Sequence, residues 1–233
     1  MAREPPLISC IMPTRDRHRF AAQAIRYFRA QDYPRRELVI VDDGEQALTG
    51  LDAGCADIRY LRLPRRATLG EKRNLACEAA RGEIIAHWDD DDWMAPWRLR
   101  YQLERLRAAG AGLCGLSVLL HYDVIDGAGW QYAYPARPGR LLAGGTLCYR
   151  RSLWRRGGFE AVNDGEDTRF LLKAGDEAIL ALADHRFYVA IIHGANTSRR
   201  RIARPRWMPC GERRIRALLG DAWEFYAGLA GAA

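Results

Sequence analysis

Between Glu83 and Trp93 the chain reads Glu-Ile-Ile-Ala-His-Trp-Asp-Asp-Asp-Asp-Trp. Carboxylates at neighbouring positions repel one another unless something cationic neutralises them. Ile84, Ile85 and Ala86 have the length and branching of a buried strand, so Asp89 to Asp92 emerge at its carboxyl end. In open α/β sheets that is the edge where ligands bind. Successive strand residues face opposite ways, which puts Asp89 and Asp91 on one face and Asp90 and Asp92 on the other. Two carboxylates on one face suit Mg²⁺ or Mn²⁺, hard ions that take oxygen ligands and keep positions open for substrate phosphates. The competing reading is a solvated acidic turn, with Asp92 as the N-cap of the following helix.

The elements that must position these acids alternate between strand and helix. Leu7 to Met12 reads as a buried strand stopped by Pro13, followed by the polar loop Pro13-Thr14-Arg15-Asp16-Arg17. Phe20 to Ala30 has helical spacing, and Glu37 to Val41 forms a second strand that delivers Asp42-Asp43-Gly44 at its end. Ile58 to Leu63 is a third strand, and Leu69 to Ala80 a helix with Gly82 as its stop. Strand, helix, strand implies a right-handed parallel crossover, hence an α/β chain with a mostly parallel nucleotide-binding sheet flanked by helices. No Gly-x-Gly-x-x-Gly turn or Walker loop follows the first strand, so phosphate charge falls to a metal instead.

Past the aspartates, Pro96-Trp97 opens a helix to about Ala109. Leu113 to Leu120 and Gln131 to Tyr134 read as strands around the turn Asp126-Gly127-Ala128-Gly129. Gly144 and Gly145 precede another strand, where backbone can approach a ligand closely. Ser152 to Arg156 is a short helix, and Glu166 and Asp167 sit at the start of another, where the helix dipole favours acids. Phe187 to Ile192 reads as the last strand, with His193 at its end, and Gly211 to Ala227 as a final amphipathic helix.

The 233 residues, 48% hydrophobic and 28% charged, fit one large domain. No run is apolar for long enough to span a membrane, and the first residues lack the apolar segment of a secretory signal, so the expectation is a cytoplasmic protein. The six cysteines lack zinc spacing and read as reduced packing residues. Of the net charge of +7, most comes from the end of the chain, where eight arginines from Arg199 onward face Glu212, Asp221 and Glu224. The partner of that tail is a phosphate or an anionic membrane surface, which leaves peripheral contact with the inner face of the membrane open.

Six motifs in order, Met12-Pro13-Thr14-Arg15, Val41-Asp42-Asp43-Gly44, Arg73-Asn74 with Gly82-Glu83, Asp89-Asp90-Asp91, Gly144-Gly145-Thr146 and Gly165-Glu166-Asp167, resemble those of the family 2 glycosyltransferases of the GT-A fold. The resemblance implies one GT-A domain over residues 1–198, with a nucleotide-binding half at about 7–95 and a mixed acceptor-side half at about 96–198, then a basic extension over 199–233. It implies that Asp43 receives the nucleotide base, with Pro13, Thr14 and Arg15 lining that pocket, and that Arg73, with Lys72 as a neighbour, meets the diphosphate. Asp89, Asp90 and Asp91 fall on the Asp-x-Asp motif, with Asp91 as the direct ligand of Mn²⁺ or Mg²⁺ and Asp89 beside it. A register one residue later pairs Asp90 with Asp92, but counting from Glu83 favours the first. His193 stands where a late histidine reaches the metal or the diphosphate in similar enzymes. Asp167 falls on the catalytic base, which deprotonates an acceptor hydroxyl as it attacks the anomeric carbon and inverts it. Trp88 and Trp93 are expected to pack beneath the metal loop; Trp93 and Trp97 are candidates for stacking on a sugar, with core packing the favoured reading.

The function implied is transfer of a sugar from a nucleoside diphosphate sugar, UDP-linked by expectation, to a carbohydrate, lipid-linked or small-molecule acceptor, with no nucleic-acid partner. Two alternatives stand beside it. A nucleotidyltransferase on a related fold shares the paired aspartates, but it wants a glycine-rich loop where this chain has Pro13 to Arg17. A non-catalytic module of the same fold, binding through its basic tail, is disfavoured by the presence of Asp43, Asp91 and Asp167 together.

Overall fold

The computed structural model describes residues 4–50, 56–135, 141–174, 179–197, 202 and 205–229. Two sheets carry the chain, and the larger begins with the elements the hydrophobic runs dictate. Strand β1 (Ile8–Thr14) is buried throughout and is followed by α1 (His18–Arg29), β2 (Arg36–Asp42), β3 (Ile58–Arg62), α2 (Leu69–Ala79) and β4 (Ile84–His87). A two-residue β5 (Trp93–Met94) leads into α3 (Arg98–Ala108), then β6 (Leu113–Leu116), β7 (Val118–Asp123), β8 (Ala128–Ala133) and β9 (Cys148–Arg150). After α4 (Arg151–Trp154) and α5 (Glu166–Ala174) come β10 (Ile179–Leu182), β11 (Tyr188–Ile192), β12 (Trp207–Pro209), α6 (Glu212–Leu219) and α7 (Trp223–Ala227).

The seven-stranded sheet runs β10-β6-β9-β4-β1-β2-β3, and β9 alone opposes its parallel neighbours. Pleat alternation sends β1 side chains to two cores. Cys10 and Met12 join α1 and α3 on one face, while Ile11 joins Ala76 and Cys77 of α2 and Phe170 of α5 on the other. Both faces are covered, as a parallel sheet requires. The five-stranded sheet runs β12-β8-β7-β11-β5. Its β8 is the platform for the end of the chain: β12 pairs with it, and Ile215, Leu219, Trp223 and Tyr226 are buried in the first core. Arg199 to Arg201 and Cys55 lie outside the described residues; Cys10, Cys77, Cys114 and Cys148 are buried thiols, and Cys210 is half-buried.

Four local expectations differ from the structure. The apolar run Leu113 to Leu120 is two strands, broken at Ser117, and its halves enter different sheets. A continuous apolar run says that both halves are buried, not which partners they pair with. Gly82 does not terminate α2, whose cap is Ala80; a Cβ on Gly82 would stand 2.6 Å from the Leu7 carbonyl oxygen, so the glycine permits close approach to β1. The final helix is interrupted at Gly220, which has φ 52°, and becomes α6 and α7. A strand follows Ile192 as well: β12, which pairs only through three residues at a sheet edge.

One buried carboxylate stitches the parallel sheet to the approach of β4. Glu37 accepts from Ser9 Oγ at 2.6 Å, from the Arg81 backbone N–H at 2.6 Å and from Arg81 Nε at 2.7 Å. Burial opposes its charge, but these donors outweigh burial and hold its pKa below the usual 4.5. A depressed carboxylate pKa contributes stability that is complete above about pH 4.5 and is lost as pH falls through the folded-state value. Glu37→Ala should therefore cost about 2 kcal/mol in denaturant unfolding at neutral pH. The gap between variant and parent should narrow at about pH 3; an undiminished gap there would mean that the charge plays no part.

Candidate active site

The carboxyl edges of β1, β2 and β4 open onto a cavity of about 800 Å³. Pro13, Thr14 and Arg15 line it from the end of β1, Asp43 from the end of β2, Lys72 and Arg73 from α2, and Asp89 to Asp92 from the loop after β4. Helix α2 can place two cations there because its start is fixed by a reciprocal cap: Thr68 accepts from the Glu71 N–H while Glu71 accepts from the Thr68 N–H at 2.7 Å.

The charges interlock. Lys72 Nζ donates to Asp43 Oδ1 at 2.8 Å and to the Thr14 carbonyl at 3.1 Å, and the Ala67 N–H donates to Asp43 Oδ2 at 2.9 Å. Arg73 donates from Nη2 to Asp89 at 3.1 Å and from Nε to Glu166 at 3.2 Å, joining the aspartate loop to the start of α5. Its Nη1 is buried without a hydrogen-bond partner among the described residues. Arg17 Nη1 lies 2.9 Å from both Asp90 Oδ1 and Asp91 Oδ2. Thr14 Oγ1 donates to Asp90 at 2.6 Å. His193 Nε2 lies 3.1 Å from Asp91 Oδ2; its Nδ1 accepts from the Ala195 N–H at 3.2 Å, which makes Nε2 the protonated nitrogen. The imidazole stacks on Phe20 with ring centroids 4.5 Å apart, and Phe20 meets Phe225 of α7 edge-on.

Burial and neighbours separate the acids. Burial pushes Asp90 up to about 6 despite the Arg17 charge. Burial acts on Asp91 too, but the His193 hydrogen bond and Arg17 outweigh it and hold Asp91 below the usual carboxylate range. Asp92 is driven well above that range by burial and by Asp91 and Asp89. Glu166 is raised by burial, with Arg73 opposing.

The alternation expected for the four aspartates gives way to another arrangement. Strand β4 ends at His87, so Asp89 follows it outside the strand and Asp90 to Asp92 lie in bends, and Arg17 gathers Asp90 with Asp91 while Arg73 takes Asp89. Asp92 caps no helix: it accepts from the Ile191 N–H at 2.8 Å and from the Tyr188 hydroxyl, and α3 starts after Trp97 with no side-chain cap. Asp91 and His193 are brought together, whereas Asp89 is held by Arg73. Among the described residues no group of three or more His, Cys, Asp or Glu converges as a metal cluster. Asp91 offers a carboxylate oxygen at the cavity, and His193, just outside its lining, would add a nitrogen donor once Nε2 gave up its proton; that pair fits a divalent ion completed by phosphate oxygens.

Asp167 and His193 do not line the main cavity. Asp167 Oδ1 accepts from the Thr168 N–H at 2.6 Å, while Oδ2 lies against Gly144, where an added Cβ would stand 1.9 Å away. A Cβ on Gly145 would stand 2.4 Å from Asp89 Oδ2. The glycine pair is therefore the shared wall between Asp167 and Asp89. Trp88 is fully buried and donates from Nε1 to the Ala24 carbonyl at 3.1 Å; Trp93 is buried as well.

Comparison with known proteins fits this geometry. The profile of Glycosyl transferase family 2 matches residues 9–174. The chain belongs to that family. The putative colanic acid biosynthesis glycosyl transferase WcaA of Escherichia coli (strain K12) is 38% identical over 101 residues, 40% of this chain and 36% of that protein. The succinoglycan biosynthesis protein ExoO of Rhizobium meliloti (strain 1021) is 41% identical over 92 residues, 38% of this chain and 26% of that protein. The matches thus span well under half the length of these relatives. Among solved structures, S. aureus TarS 1-349 in complex with UDP-GlcNAc superposes with a TM-score of 0.67 at 19% identity, covering 82% of this chain and 60% of that one. The mannosyltransferase PcManGT of Pyrobaculum calidifontis, in complex with GDP-Man and Mn²⁺, gives 0.58 at 19% identity, covering 82% and 57%. The expected GT-A fold is thereby shown.

Sequence reasoning passed over Arg17, Arg98 and Tyr188. Arg98 lies in the helix opened by Pro96-Trp97 and is fully buried. It donates to the carbonyls of His87 at 2.8 Å and Gly145 at 2.9 Å, with its guanidinium 5.0 Å from the Tyr188 ring centre. Nothing in the spacing of α3 marks it, because three other arginines share the helix. The site also yields a stability test. Asp43→Asn leaves the buried Lys72 charge without its counter-ion and should cost about 3 kcal/mol in urea unfolding, while the double variant Asp43→Asn, Lys72→Met should recover most of that loss. Additive losses would show that the two groups are not coupled.

Proposed function

We propose that the chain is an inverting glycosyltransferase that moves a sugar from a nucleoside diphosphate sugar to an acceptor hydroxyl. The observation that carries the reading is the unspent donor on Arg73, a buried guanidinium lining the cavity with one N–H group, Nη1, unused beside Asp89. An anionic group entering beside Lys72 and Arg73 would receive that donor and add two charge-assisted contacts. UDP is the favoured carrier, on the strength of the UDP and UDP-GlcNAc complexes of TarS. Mn²⁺ or Mg²⁺ would be held by Asp91 and His193, with Asp89 alongside; such an ion would supply charge neutralisation for the departing diphosphate.

The remaining steps belong to the chain's own groups. Asp43, with Pro13 and Thr14, forms the wall that would receive the base; since both carboxylate oxygens already accept hydrogen bonds, its role is to add one more acceptance on a lone pair left over. Arg15 closes the same wall. Asp90 is fixed by Thr14 and Arg17 as a neighbour of the donor site. Asp167 would take the acceptor proton on Oδ2, since Oδ1 is occupied by Thr168, and Arg73 ties its helix to the donor loop through Glu166. A base of this kind works without a covalent intermediate, and attack opposite the leaving diphosphate inverts the anomeric centre.

The test is a screen of nucleotide sugars with Mn²⁺ and Mg²⁺ for binding, slow hydrolysis and transfer. Asp91→Asn should weaken metal-dependent nucleotide binding. Asp167→Asn should keep that binding and lower the transfer rate by about a thousandfold. Full transfer activity in both variants sinks the assignment.

A further inference from the structure

Arg17 stands just before α1 and starts it through its backbone, whose carbonyl accepts from the Ala21 N–H at 2.8 Å. Its side chain does something separate. It is only 16% exposed, it spans Asp90 and Asp91 at equal distances of 2.9 Å, and its Nη2 donates to the Ala195 carbonyl in the loop after β11. Asp91 Oδ2 consequently accepts from three groups: Arg17 Nη1, His193 Nε2 at 3.1 Å and Asn196 Nδ2 at 3.2 Å. The lone pairs that a divalent ion would use on that oxygen are occupied, and a positive charge stands against it. An arginine does not lose its proton, so this charge leaves only when the side chain moves. A forked guanidinium matches a diphosphate as well as it matches a pair of carboxylates, and Arg17 lines the cavity that holds Lys72 and Arg73.

We infer that Arg17 is a counter-ion latch on the metal-binding acid, an inference that rests on the proposed nucleoside diphosphate site. Without a donor, the guanidinium holds Asp90 and Asp91 as a paired unit, fastens the loop at Ala195 and keeps a divalent ion from Asp91. An incoming diphosphate draws the guanidinium away and frees Asp91. Metal alone then binds weakly, and nucleotide and metal enter as a coupled pair.

Mn²⁺ binding to the full chain without nucleotide, followed through the paramagnetic resonance signal of the free ion, tests this directly. Arg17→Gln should bind Mn²⁺ alone about tenfold more tightly than the parent. Arg17→Lys, whose single nitrogen can meet the carboxylates but lacks the second arm that fastens the Ala195 carbonyl, should fall between them. Equal or weaker affinity in both variants overturns the latch, and if Arg17→Gln does not fold, Arg17→Lys decides alone. A parallel titration of Mn²⁺ with UDP or GDP separates the two levels. Uptake by the parent only with nucleotide, together with unchanged metal-alone affinity in the variants, removes the latch and leaves the site standing. No uptake by any protein under either condition removes both.

Discussion

Four consecutive carboxylates can be brought out of water only if each finds its own counter-charge or donor, and the architecture around the cavity follows from that requirement. Two like charges about 4 Å apart repel by about 4 kcal/mol at an effective dielectric of 20, a sizeable part of the stability of an ordinary domain. The chain distributes the load. Asp89 goes to Arg73 on α2, Asp90 and Asp91 to Arg17 before α1, Asp91 again to His193 after β11, and Asp92 to Tyr188 and the Ile191 amide on β11. Elements from three separate stretches of sequence are held at one loop by this division.

The same requirement links the two ends of the proposed reaction. Arg73 touches Asp89 and Glu166, so the aspartate loop and the helix carrying Asp167 share one guanidinium, and the wall between them is thin because Gly144 and Gly145 have no side chains. Arg98 steadies that wall from beneath by binding the carbonyls of His87 and Gly145. His193 is steadied from outside by Phe20, which in turn meets Phe225 of α7. The end of the chain therefore supports the site through an edge-on ring contact.

Much of this was legible beforehand. The strands β1, β2, β3 and β4 and the helices α1, α2 and α3 appear within a residue or two of their expected bounds, because long buried runs and amphipathic spacing are set locally. The motif residues at the strand ends do converge: Thr14, Asp43, Arg73 and Asp89 to Asp91 line one cavity. What could not be read was pairing. The run through Ser117 gave no sign of a change of sheet, and a two-residue β5 or a three-residue β12 is too short to leave a pattern.

The sequence by itself determined which chemistry was affordable: acids at strand ends, cations one helix away, glycines where backbones must meet, and an order of motifs shared with one family. Only the tertiary structure decided which acid faces which cation. An aspartate carries the same charge wherever it stands in a run of four, so its role depends on distances of about 3 Å to groups tens of residues away. Asp92 turned from a helix cap into a tie to β11, and Arg17 from a loop residue into the cation on Asp91, for that reason.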